Sequence, residues 1–155
     1  MEEMTIQHFN PVWREKANFI LRVRSETSPK GGIQVWEQLW TRQVTNTTYE
    51  ICCIPFYLYN VSLGDEVRVN EHKQISEVVK YSGHYTFRVY FSNLTDPHIR
   101  EAVVNDVTEM KCLVEWYSEN LLAIDAPSIM TAQAVADYLQ DKEYLKLLQF
   151  ETGKL

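Results

Sequence analysis

Hydrophobic and polar positions alternate through most of the first half of the chain. From Asn18 to Arg24, Phe19, Leu21 and Val23 share one face while Asn18, Arg22 and Arg24 take the other, which predicts a strand. Ile33 to Val44 reads as a long strand, with Ile33, Val35 and Leu39 opposite Trp36 and Trp40. Thr48 to Ile54, Glu66 to Asn70 and Ile75 to Tyr81 continue the series, giving about five closely spaced strands and no helix of useful length. Ser28-Pro29-Lys30-Gly31-Gly32 is a turn, and Thr45-Asn46-Thr47 a loop. Residues 1–16 form a loosely anchored lead-in from which Phe9 and Trp13 can pack down.

The pattern changes after Ser82-Gly83. Tyr85, Phe87, Val89 and Phe91 alternate with Thr86, Arg88 and Tyr90 as a strand. Asp96-Pro97 starts a helix, with Asp as N-cap and Pro in the first turn. Ile99, Val103, Val107 and Met110 then recur at helical spacing. Cys112 to Tyr117 and Leu121 to Ile124 form a hairpin around Ser118-Glu119-Asn120. Pro127-Ser128 opens a second helix with Ala132, Val135, Ala136 and Leu139 as its buried stripe, and Leu147 to Phe150 closes as a strand. The order β-α-β-β-α-β is the ferredoxin-like arrangement. Its right-handed crossovers place the third strand between the first and second, antiparallel to both. The expected fold is therefore α+β: residues 1–81 as a small β-barrel or bent antiparallel sheet, packed on a ferredoxin-like unit at residues 82–155.

Within the first half, the stretch Ile54 to Val69 joins one strand to the next. Pro55 fixes φ and removes a donor, which ends the preceding strand. Phe56 to Val61 are too apolar for a solvated loop and predict a short helical turn plugging the sheet. Gly64-Asp65 is a turn, with Asp65 expected to cap backbone amides.

That topology juxtaposes residues of chemical interest. His84 precedes the first strand of the second half and Asp125 ends the third. Antiparallel neighbours bring them within hydrogen-bond reach, with the Ser82 hydroxyl nearby. A carboxylate-oriented imidazole is general-base equipment, and Ser, His and Asp together recur in acyl transfer. The structural alternative is that His84 ties down the Gly83 turn while Asp125 caps the second helix. No nucleophile-elbow glycine pattern surrounds Ser82.

Composition narrows the classes. The chain has 155 residues, is 45% hydrophobic and 23% charged, and suits a globular protein. The acidic start Met1-Glu2-Glu3-Met4 has no signal-peptide apolar region, and no membrane-length apolar run occurs, so a soluble cytoplasmic protein is expected. Residues 1–80 hold nine Lys and Arg against ten Asp and Glu, and residues 81–155 hold six against eleven. The net charge of −6 is thus concentrated in the second half. Such a surface repels nucleic acid and anionic membranes and favours a basic protein partner. His8, His72, His84 and His98 lie on separate elements without metal-ligand spacing, five glycines form no phosphate loop, and no cofactor is expected. Adjacent Cys52 and Cys53 point to opposite strand faces and, with Cys112, are read as reduced packed thiols.

Asp106 and Glu109 on the first helix, with Asp137, Asp141 and Glu143 on the second, lie off the apolar stripes. If both helices cover one sheet face, these carboxylates form an acidic plate, with Tyr138 and Tyr144 as aromatic anchors. Trp36 and Trp40 are assigned to the core of a sheet closed against the second half; left solvated, they would instead mark a partner or homodimer surface.

Three segments resemble an uncharacterised bacterial domain family: Ile54-Pro55-Phe56-Tyr57-Leu58-Tyr59 through Leu63-Gly64-Asp65-Glu66-Val67; Ser82-Gly83-His84 through Arg88-Val89; and Leu122-Ala123-Ile124-Asp125-Ala126-Pro127. The resemblance implies this element order and a bacterial origin, and carries no established catalytic residues. The leading expectation is a non-enzymatic immunity protein that neutralises a cognate toxin, such as a basic nuclease, as a monomer or weak dimer. The alternative is an enzyme or small-ligand binder using a cleft around His84 and Asp125.

Overall fold

The computed structural model describes residues 2–25 and 32–155. The turn expected at 28–32 lies outside them except for Gly32. The first sheet contains β1 (Glu3–Ile6), β2 (Phe19–Arg24), β3 (Gln34–Gln43), β4 (Thr48–Ile51), β5 (Glu66–Val69) and β6 (Ile75–Lys80). Its order is β1-β3-β4-β5-β6, with β2 also paired to β3. β3 dominates because its alternation holds over ten residues: Val35, Glu37, Leu39 and Thr41 are buried while Gln34, Trp36, Gln38 and Trp40 are half-exposed. Leu21, Val23, Leu39, Ile51 and Val67 form one apolar cluster on its inner face.

Three expectations for this half are corrected. The sheet is not closed into a barrel. It coils far enough for Arg24 N–H to donate to the Lys73 carbonyl at 2.8 Å, but β2 and β6 form no ladder among the described residues. The lead-in is not loose either: β1 pairs in parallel with β3, from Glu3 opposite Gln34 to Ile6 opposite Glu37. A parallel edge strand paired across such a separation leaves no local hairpin signal. Thirdly, the crossover after β4 is not helical. Residues 52–63 are irregular yet largely buried. The amides of Ile54, Phe56, Tyr57 and Leu58 find acceptors outside the segment, at the buried carboxylates described below, and those of Cys52 and Asn60 donate to the Trp40 and Gly153 carbonyls.

The second sheet contains β7 (Tyr85–Tyr90), β8 (Leu113–Ser118), β9 (Leu121–Ala126) and β10 (Gln149–Thr152), in the order β10-β7-β9-β8. Every neighbouring pair is antiparallel, and β9 lies between β7 and β8 as the crossover argument requires. Helices α1 (Pro97–Glu109) and α2 (Ile129–Tyr144) begin at their expected caps. The Asp96 carboxylate accepts from His98 N–H, and the Ser128 hydroxyl accepts from Thr131 N–H. Both helices pack on one face of this sheet, where Phe87, Val89, Val103, Val107, Ile124, Val135 and Leu139 make a continuous core. The opposite face carries Arg88, Glu115, Asp125 and Glu151, an unusual density of charge for a buried surface. It receives the crossover, with Ala123 packing against Ile54 and Phe56.

Candidate functional site

β7 and β9 are in a register that pairs Thr86 with Asp125 and Tyr85 with Ala126. This brings the residue just before β7 to the last turn of β9. His84 Nδ1 lies 2.8 Å from Asp125 Oδ2 and 3.0 Å from Oδ1, and the carboxylate is 1% exposed. The Asp125 hydrogen bond raises the His84 pKa above the ordinary imidazole value, against the opposing pull of burial. Burial pushes Asp125 above the usual carboxylate range, with His84 drawing it back. The edge of Trp13 meets the imidazole at a centroid distance of 5.8 Å and holds the ring in place.

Ser82 is close, but its hydroxyl is turned away. Its single proton serves the Leu63 carbonyl at 2.7 Å and Asp65 Oδ1 at 2.9 Å, and its oxygen accepts from the backbone N–H of His84. The His84 imidazole is not among its partners, so the trio is an oriented imidazole beside a structural serine. Asp65 caps as expected: it accepts from Ser62 N–H and Ser82 N–H, welding the Gly64 turn to the start of the second half. A pocket of about 240 Å³ opens beside His84, bounded by Asn60, Ser62, Asp65, Tyr85 and Lys154.

The largest buried charge centre was not anticipated. His8 stands between two glutamates, its Nε2 2.7 Å from Glu37 Oε2 and its Nδ1 2.8 Å from Glu115 Oε1. Glu37 also accepts the consecutive amides of Phe56, Tyr57 and Leu58, and Glu115 those of Ile54 and Val12. These two carboxylates satisfy amides that the buried, irregular crossover would otherwise leave without acceptors. Burial works against a charge on His8, but Cys53, Glu115 and Glu37 outweigh it and push its pKa up to about 12. Burial likewise works against ionised Glu37, but His8 and the crossover amides hold it below the ordinary carboxylate value. The group is thus an imidazolium clamped by carboxylates, stacked under Phe56 at 4.2 Å. One signal was present in the chain: Glu37 occupies an apolar register position between Val35 and Leu39.

A second tie crosses the same interface. Arg88 is wholly buried and donates to the Pro55 and Leu58 carbonyls and to Glu151. Its guanidinium lies over Tyr59, whose hydroxyl joins that of Tyr90 on Glu151. Among the described residues, its Nη2 atom has no hydrogen-bond partner.

The residues expected to face a partner are distributed as follows. Asp106 accepts the Tyr138 hydroxyl at 2.6 Å, fastening α1 to α2, and Glu143 accepts the N–H of Phe150. Glu109, Asp137, Asp141 and Tyr144 remain exposed on the helical layer. Lys142 lies over the Tyr138 ring within the same layer. Trp36 and Trp40 occupy the outer face of β3, opposite its buried residues, because no closed barrel covers them. Trp40 reaches the inner cluster at its edge. Arg22 covers Trp36 at 4.0 Å and Arg14 covers Trp40 at 5.2 Å. The three cysteines are buried free thiols, and among the described residues no group of His, Cys, Asp or Glu is disposed to hold a metal ion. No helix of the described residues is long and apolar enough to cross a membrane.

These features define an α+β protein of two open sheets, one carrying two helices, joined through buried ion pairs. The chain belongs to the family described as a domain of unknown function (DUF4265), whose model matches residues 37–150. It is also similar in fold to a solved crystal structure of a hypothetical protein from Neisseria gonorrhoeae. The two share 17% identity with a TM-score of 0.72, and the match covers 89% of this chain and 96% of that one. No curated protein matches.

Proposed function

We propose that the protein is a non-enzymatic binding module whose helical layer docks a basic protein partner. The observation that carries this reading is the placement of Glu109, Asp137 and Asp141, which remain solvent-exposed on two helices lying side by side. Charge complementarity on such a layer speeds association and selects the partner's sign. The buried ionisable groups support the same reading, because Glu37, Glu115, Arg88 and Asp65 are committed to holding backbone and are not free to turn over a substrate.

Within this proposal the chain reads as two parts, residues 1–81 and a ferredoxin-like unit at 82–155, in a cytoplasmic protein acting as a monomer or weak dimer. The partner class we propose is a toxin, most simply a basic nuclease that this protein neutralises. Small size, net negative charge and the acidic helical layer support it, and the same charge argues against direct contact with nucleic acid or an anionic membrane.

The test is co-expression with the product of the adjacent reading frame. Wild-type protein should relieve that product's toxicity, and Asp137→Lys with Asp141→Lys should not. The association rate should fall steeply with added salt. A salt-insensitive complex, or full protection by the charge-reversed variant, would overturn the reading.

A further inference from the structure

Beyond protein docking, we propose that the pocket beside His84 binds a small anion bearing a phosphate or carboxylate group, held between His84 Nε2 and the Lys154 ammonium.

Most of the polar atoms around this pocket are already committed within the protein. Asp125 engages Nδ1 of His84 through both oxygens. Asp65 spends its oxygens on Ser62 N–H, Ser82 N–H and the Ser82 hydroxyl. Asn60 Oδ1 accepts from the N–H of Leu155, and the Ser62 hydroxyl accepts from Thr86. The pocket's acceptors are therefore largely used from within the protein, and its free groups are donors. Among the described residues, His84 Nε2 has no hydrogen-bond partner, and Lys154 has no carboxylate, lying 4.8 Å over the Tyr85 ring.

The imidazole is well prepared for this task. Asp125 holds one proton on Nδ1 and orients the ring, and its carboxylate favours the imidazolium form, in which Nε2 also carries a proton and donates. The Trp13 ring packs edge-on against it. A donor pre-set by a buried carboxylate forms stronger charge-assisted hydrogen bonds to an anion than a freely rotating one. Lys154 follows β10, whose Gly153 donates its N–H to the Thr86 carbonyl at 2.8 Å. Lys154, the next residue, lines the pocket. The volume, about 240 Å³, suits a small metabolite better than a polymer.

The test is a titration of the intact protein with inorganic phosphate and, separately, with acetate, following the His84 imidazole resonances by NMR. Sodium chloride at matched ionic strength is the control. Either anion should shift His84 saturably, and Lys154→Ala should weaken that binding about tenfold. Lys154 is exposed, so its replacement leaves the fold intact, and His84 remains as the reporter. Response to phosphate alone assigns a phosphate-bearing ligand, and response to acetate alone a carboxylate. The inference is overturned if neither anion moves His84 beyond the chloride control, or if Lys154→Ala titrates like the wild type. Toxin neutralisation does not enter this readout, so the two proposals fail independently.

Discussion

Glu37 Oε2 lies 2.7 Å from His8 Nε2, and neither side chain has any exposed surface. Around this contact the protein solves its main structural problem. An apolar, irregular crossover must be buried, and its amides need acceptors where no strand can supply them. Glu37 supplies them from β3 and Glu115 from β8. The imidazolium of His8 then offsets one of the two negative charges that the carboxylates bring inside.

The first prediction follows. Glu37→Gln keeps the shape but sets an amide group against amide donors and strips His8 of one counter-ion. Breaking a buried pair from one side costs about 3–5 kcal/mol. The urea midpoint should fall accordingly, and a drop of under 1 kcal/mol would show that the crossover holds without this carboxylate.

The same cluster shapes the pH dependence of stability. The His8 pKa is raised in the folded state from 6.5 to about 12, so its contribution is complete below 6.5, erodes as pH rises and is gone above about 12. The Glu37 pKa is lowered from 4.5, so its contribution is present above 4.5 and lost as pH falls through the folded value. Stability should peak between those two ordinary values and decline on the alkaline side by up to about 1.4 kcal/mol per pH unit. Denaturant titrations across this range should show the slope, and His8→Gln should flatten its alkaline limb.

How much of this was legible in the chain depends on the range of the interaction. β7, α1, β9 and α2 announce themselves locally, through alternation, the Asp96 and Ser128 caps, and helical spacing. Their topology is enough to bring His84 to Asp125. β1 was missed because its partner is parallel and about thirty residues away, a pairing with no turn to mark it. The crossover was misread because apolar content reports burial and not how buried amides are satisfied. Glu37 was visible only as a polar residue in an apolar register. The proton on the Ser82 hydroxyl went to Leu63 and Asp65, a choice that depends on three segments folding together.

The Gly64 turn gives a third prediction. Gly64 has φ of 84°, and a Cβ there would sit 2.9 Å from Ser82 Cβ and 3.3 Å from Trp13 Cη2. Gly83 has φ of 86° with nothing within 4 Å of the same position. Gly83→Ala should therefore cost only the left-handed backbone penalty, about 1–2 kcal/mol. Gly64→Ala should cost about 1–3 kcal/mol more, because Ser82 and Trp13 must move. Equal melting temperatures for the two variants would show that the turn has slack.

The final prediction separates what holds the helices together from what the helical layer offers outward. The Tyr138 hydroxyl donates to Asp106 Oδ2 at 2.6 Å, the hydrogen bond that links α1 to α2. Tyr138→Phe removes this bond from a half-buried site and should lower stability by about 1 kcal/mol. It also returns the Asp106 carboxylate to solvent beside Asp137 and Asp141, adding to the negative potential a basic partner meets. Association with such a partner should therefore become faster while the melting temperature falls, opposite signs that a simple loss of fold cannot produce. Stopped-flow association at low salt, set beside thermal denaturation of the same variant, reads both. If the association rate and the melting temperature fall together, the hydroxyl is serving the interface itself, and Tyr138 belongs among the anchors that contact the partner.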